Sequence, residues 1–188
     1  MSRKYKVAVL VGSLRKGSLN RMMANAAAKL APPSLELGIV EIGNLPLYNQ
    51  DLDGANAPSA WLSFRDVLKR ADAFLFVTPE YNRSVPGCLK NAIDVGSRPY
   101  GQSSFGAGKP GAVISVSPGA IGAFGANHHL RQSLVFLDVA PLQQPEAYIG
   151  GAAKFFDDAG NLTNAGTKEF LQKFMQSFAG WVGKLISA

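Results

Sequence analysis

Residues 7–20 read VAVLVGSLRKGSLN, and the period of the pattern changes halfway along. Val7 to Val11 is a short apolar run rich in valine and ended by Gly12, which reads as a strand buried on both faces. From Leu19 onward the apolar residues Leu19, Met22, Met23, Ala26, Ala27 and Leu30 recur at helical spacing and form one stripe. Between the two lies GSLRKGS, Gly12 to Ser18. A strand, a small-residue turn and a helix start make a ready anion site, because free backbone N–H groups and the positive end of the helix dipole face the turn. Ser13 and Ser18 add hydroxyl donors, and Arg15 and Lys16 add positive charge. The stretch reads as a phosphate-holding loop, with an ordinary basic strand-to-helix turn as the plain alternative.

The kind of phosphate is narrowed by what the loop lacks. A Walker A loop needs Lys and then Ser or Thr directly after its second glycine, whereas Ser18 and Leu19 follow Gly17 here. The dinucleotide fingerprint GxGxxG is missing too, since Gly12 and Gly17 stand five apart. A loop rich in hydroxyls and poor in glycine suits a compact terminal phosphate monoester of the kind FMN carries.

Composition sets the outer limits. At 188 residues, 47% hydrophobic and 17% charged, the chain has the make-up of one globular domain, 1–188, rather than of a disordered or membrane protein. Its basic N-terminus precedes an apolar run too short for a signal-peptide core, and no stretch approaches the roughly 20 apolar residues that cross a bilayer. One cysteine, Cys88, allows no internal disulfide and fits a reducing cytoplasm; its helical context reads as a structural thiol. The net charge of +6 is scattered, with no basic run and no nucleic-acid module. It reads either as steering toward small anions or as plain solvated surface charge.

Further along, Leu35 to Ile42 alternates as a second strand, and Gly43 to Pro58 is a long polar loop of the length that serves a site or an interface. A helix over Trp61 to Arg70 leads to Ala73 to Thr78, AFLFVT, a third strand apolar throughout and therefore central. At its carboxyl end stands TPEYNRSVPG, Thr78 to Gly87, where open parallel sheets bind ligands. A helix from Gly87 to about Ser97 and a glycine-rich loop, Arg98 to Pro110, precede a fourth strand, Gly111 to Val116. Another small-residue loop, Ser117 to Gly122, opens a helix over 123–138. Val139 to Leu142 and Ala147 to Ile149 leave room for a fifth, edge strand interrupted by Pro145, and a long amphipathic helix ends the chain. This alternation predicts an α/β fold, a doubly wound five-stranded parallel sheet in the order 2-1-3-4-5. The switch crevice would lie between the loops after strands one and three.

At this point two long motifs stand at a specific separation: GSLRKGSLN, Gly12 to Asn20, and TPEYNRSVPGCLKNAID, Thr78 to Asp94. Together with HLRQSLVFLD, His129 to Asp138, they strongly resemble the NAD(P)H-dependent FMN reductase family, and most closely its chromate- and quinone-reducing branch. The resemblance covers nearly the whole chain. It implies a flavodoxin-like fold with FMN as the reactive group, NADH or NADPH as co-substrate, and quinones, chromate or similar oxidants as acceptors. It implies a ping-pong order and a homodimer or homotetramer.

Carried over by position, the family pattern gives the phosphate and ribityl chain to Ser13, Arg15, Ser18, Leu19 and Asn20. Pro79, Glu80, Tyr81 and Asn82 would line the ring, with Ser117 and Gly119 closing the third side. Pro118 departs from the commoner family sequence at that third loop. Glu80 has a plain reading as a helix-capping or salt-bridging residue, and Tyr81 as a surface aromatic. Arg83 is a candidate for an anionic acceptor or a subunit contact, and Arg98 and Tyr100 are candidates for the mouth of the site or an interface. Such chemistry needs no side-chain nucleophile, so no catalytic side chain is named and positioning is the protein's task. The adjacent His128 and His129 lack metal-ligand spacing, so no metal is expected. A non-enzymatic electron carrier of flavodoxin type is the alternative reading, disfavoured by the basic charge because such carriers usually dock through an acidic face. A response-regulator receiver would need an aspartate where Thr78 and Pro79 stand.

Overall fold

Strand and helix alternate in the computed structural model, which describes residues 3–106 and 108–186, nearly as the periodicity predicts. The strands are β1 (Tyr5–Val11), β2 (Leu35–Val40), β3 (Ala73–Thr78), β4 (Pro110–Val116), β5 (Ala140–Pro141) and β6 (Ala147–Ile149). The helices are α1 (Leu19–Leu30), α2 (Ser59–Arg70), α3 (Gly87–Gly96), α4 (Phe124–Phe136) and α5 (Ala165–Ile186). All strand pairs are parallel, in the order β2-β1-β3-β4-β5, with Val9 opposite Leu75 and Leu75 opposite Ala112. The expected fifth strand is split into β5 and β6, which pair in turn with the start and the end of β4. Pro141 and Pro145 lack the N–H that an unbroken ladder would require there.

Two cores flank the sheet because successive residues of a strand point to opposite faces. Val7, Val9, Val11, Leu75, Val77 and Ile114 meet α1 and α5 on one face, where Met23, Phe174 and Phe178 are fully buried. Ala8, Leu10, Phe74, Phe76 and Val113 meet α2, α3 and α4 on the other, around Trp61, Leu68, Leu89 and Leu130. The central strands β3 and β4 are buried along their whole length, whereas β2, at the edge, alternates. Its weaker apolar signal has that cause. Among the described residues no helix is long and apolar enough to cross a membrane.

The helices return antiparallel to the strands, so the loops after β1, β3 and β4 gather at one edge of the sheet. The loop joining α3 to β4 stands at the opposite edge. Lys109 fixes it there, its Nζ donating to the carbonyls of Leu68, Lys69 and Ala71 at the end of α2 at 2.8–3.4 Å. Burial pushes this ammonium below its usual pKa.

Candidate functional site at the carboxyl edge of the sheet

The loop after β1 runs from Gly12 to Ser18, where Ser18 caps α1, its Oγ accepting from the Arg21 N–H at 3.3 Å. The hydroxyl proton of Ser18 stays free to donate outward. Ser13, Ser18 and Asn20 are buried, Leu19 is half-buried, and Leu14, Arg15 and Lys16 are exposed. No described group accepts from the backbone N–H groups of Ser13, Leu14 or Arg15. Neither Arg15 nor Lys16 forms an ion pair among the described residues. The loop therefore presents free N–H groups, two hydroxyls and two uncompensated cations at a helix N-terminus, the donor set of an anion site.

Asn20 ties this loop to its neighbours. Its Nδ2 donates to the Val116 carbonyl at 3.4 Å, at the end of β4, while its Oδ1 is buried with no partner among the described residues. Gly12 donates its N–H to the Val77 carbonyl, and a Cβ there would come within 3.1 Å of Pro79 Cδ. That close approach brings the first loop against the second.

The second loop is a tight hairpin. The Tyr81 N–H donates to the Ser84 carbonyl at 3.1 Å and the Ser84 N–H to the Tyr81 carbonyl at 3.0 Å, with Asn82 and Arg83 both left-handed at φ 50° and 64°. Two successive positive φ angles are those of a type I′ turn, which strains an arginine. Tyr81, Asn82 and Arg83 are exposed and Pro79 is half-buried. The Glu80 carboxylate turns away to α4, where its Oε2 accepts from the Ala126 N–H at 3.0 Å, and its Oε1 pairs with Arg83 at 3.2 Å. The Glu80 side chain thus takes both of its plain roles, capping the first turn of α4 and pairing with Arg83. Ser117 and Gly119 stand on the third loop, stitched to one another by the Gly119 N–H donating to Ser117 Oγ at 3.0 Å.

Arg98 and Tyr100 are elsewhere, which corrects their expected place at the mouth. They lie in the α3–β4 connection, at the opposite edge, where Arg98 donates to Ser97 Oγ and shares a cavity with Arg65, Asp66 and Lys69 of α2. A loop that follows a helix and precedes a parallel strand belongs to the amino edge, and its glycine-rich composition carries no such direction. Cys88 is half-buried in the first turn of α3, and burial pushes its thiol above the usual value. The rings of His128 and His129 bond to Tyr148 and Ser84 respectively, in different directions.

Two structural details carry no signal in the sequence. The left-handed hairpin at Asn82 and Arg83 carries neither glycine at its centre. The long loop 43–58 is strapped down by a buried ion pair, Asp53 with Arg65 at 2.7 Å, and by Asn91, whose amide bonds Leu45, Pro46 and Tyr48 backbone groups.

Comparison with known proteins identifies the family of the chain. A family profile described as NADPH-dependent FMN reductase matches residues 5–154. A quinone reductase of Pseudomonas putida is 66% identical over 182 residues, 97% of each chain. A 2-hydroxy-1,4-benzoquinone reductase of Burkholderia sp is 49% identical over 94% of this chain and 96% of its own. Among solved structures, the flavoenzyme NAD(P)H:(acceptor) oxidoreductase of Paracoccus denitrificans superposes with a TM-score of 0.90 at 46% identity, covering 96% of this chain and 98% of that one.

Proposed function

The chain belongs to the NADPH-dependent FMN reductase family, and from that premise we propose that it reduces quinones with electrons from NADH or NADPH at the carboxyl edge of its sheet. The cofactor of this family is FMN and its electron donor a nicotinamide nucleotide. The residues present fit that group. A buried amide oxygen without a partner, at Asn20, and the free N–H groups of Ser13, Leu14 and Arg15 are what a polyhydroxyl chain ending in phosphate requires. That unsatisfied donor and acceptor set, on the first loop and the start of α1 where they touch the ends of β3 and β4, is the observation that carries the proposal.

Ser13, Arg15, Ser18, Leu19 and Asn20 would hold the phosphate and ribityl chain. Pro79, the backbone of Glu80, Tyr81 and Asn82 would line the ring, and Ser117 and Gly119 would close its third side. FMN, when bound, supplies the hydride and electron chemistry. The chain's own contribution is to bind, orient and enclose. The Arg15 guanidinium neutralises a dianion that backbone amides alone would leave partly unpaired, and the fixed I′ turn presents N–H groups of a rigid backbone. Donor and acceptor would occupy the site in turn, a ping-pong order, with chromate and similar oxidants accepted as well as quinones. Arg83, exposed on the second loop, would draw in an anionic acceptor or contact a second subunit in a homodimer or homotetramer. Arg98 and Tyr100 remain as interface candidates only, and a reducing cytoplasm suits the single thiol.

Purified protein is expected to be yellow, to bleach anaerobically with NADH or NADPH, and to regain colour when a benzoquinone is added. A colourless protein that FMN cannot reconstitute would overturn the proposal.

A further inference from the structure

The loop after β4 is held in a conformation its sequence alone would not choose. Gly122 and Ala123 are successive left-handed residues at φ 61° and 59°, and Ala123 is almost fully buried. A Cβ at Gly122 would stand 2.7 Å from the Tyr148 carbonyl carbon, so the loop is pressed against β6. Left-handed alanine persists only where its surroundings fix it. Part of that fixing is backbone: the Gly151 N–H donates to the Gly119 carbonyl at 3.2 Å and the Ala152 N–H to the Ser117 carbonyl at 3.1 Å.

The rest comes from inside the fold. Ser115, fully buried in β4, donates from Oγ to the Gly122 carbonyl at 2.7 Å. The same oxygen accepts from Nδ2 of Asn127, also fully buried, at 3.1 Å. Asn127 Oδ1 in turn accepts from Arg131 Nε at 2.9 Å, and Arg131 Nη1 donates to the Leu142 carbonyl at 2.9 Å. The amide orientation is forced, because a guanidinium only donates and so must face the amide oxygen. The bonds therefore point the same way, from Arg131 through Asn127 and Ser115 to Gly122, with longer branches from Ser115 Oγ and Asn127 Nδ2 to the Ala147 carbonyl of β6 at 3.2 and 3.4 Å, and such chains polarise one another.

We propose that Asn127 is a positioning residue which, through Ser115, sets the conformation of the 117–122 loop and thereby the third wall of the flavin site. Only an amide serves. A carboxylate in its place would still accept from Arg131 but could not donate to Ser115, so the Ser115 hydroxyl proton would turn to the carboxylate and leave the Gly122 carbonyl unbonded. The assignment of this loop to the flavin rests on the proposed function; the relay itself does not.

The test uses Asn127→Asp and, should that variant not fold, Ser115→Ala, which removes the donor without adding bulk. Hydrogen exchange of the flavin-loaded protein and FMN affinity by fluorescence titration are measured side by side. Expected are faster exchange confined to residues 117–124, exchange elsewhere as in the parent, and FMN affinity about tenfold weaker, the loss of one hydrogen bond's worth of ordering. Unchanged exchange at 117–124, or exchange raised equally throughout α5, would overturn the relay and leave only a packing role. Local loosening with unaltered FMN affinity would uphold the relay and overturn the placement of this loop against the flavin.

Discussion

Arg15 shows how a single residue separates an anion site from a basic turn. It stands exposed at the dipole end of α1 beside Ser13 and Ser18, with no carboxylate paired to it among the described residues. A phosphate there gains a charged hydrogen bond, so Arg15→Ala is expected to weaken FMN binding by about 1.5–3 kcal/mol, read by titration of the apoprotein. Unaltered affinity would remove Arg15 from the site. Arg83 is a different kind of residue: its guanidinium is exposed and, among the described residues, bridges only to Glu80. Arg83→Ala should leave FMN affinity within about threefold, as exposed pairs contribute little, while raising the KM for an anionic quinone or changing the oligomeric state in sedimentation. Loss of flavin with unchanged assembly would contradict that role.

Among the elements, α2 and the strap over it make the most specific demands. Lys109 caps three carbonyls at the end of α2, so Lys109→Met, which keeps the apolar stem, should cost about 1–2 kcal/mol and lower the urea midpoint at constant m-value. Asp53 is pulled two ways: burial raises its carboxyl, but hydrogen bonds from Arg65 and Tyr48 outweigh it and hold the pKa below 3.8. A carboxyl depressed on folding contributes stability that is complete above 3.8 and is lost as pH falls through the folded value. Asp53→Asn is therefore expected to cost about 3 kcal/mol near neutrality, since it leaves Arg65 buried and unpaired. Its deficit should narrow in acid unfolding measured below pH 3.8. A deficit independent of pH would mean the ion pair contributes nothing through its charge.

At the scale of the whole molecule, the strand order was legible because β1, β3 and β4 are nearly unbroken apolar runs, and because α1 announces itself by period and by Ser18 as cap. The two loops that meet at the carboxyl edge were legible for the same reason: each follows a strand that could be placed. What escaped the sequence depends on direction and distance. Glu80 reads in the sequence as a capping or salt-bridging residue, yet nothing there says that the turn it caps is that of α4, 46 residues away. Asn127 sits in the apolar repeat that includes Leu130 and Leu134, a polar residue on a buried face, but nothing in the pattern says which way its amide points. Arg98 and Tyr100 were misplaced although the element order contained the answer, since a connection from helix to strand must reach the amino edge.

If the Gly12–Ser18 loop and the Thr78–Arg83 turn act as one cradle, the first gripping a phosphate and the second the ring, the phosphate carries much of the affinity. Titrating the apoprotein with FMN and with riboflavin, which differ only by that phosphate, tests it most directly. Several charged hydrogen bonds to the phosphate predict that FMN binds at least about 100-fold more tightly. Equal affinity for the two flavins would contradict it.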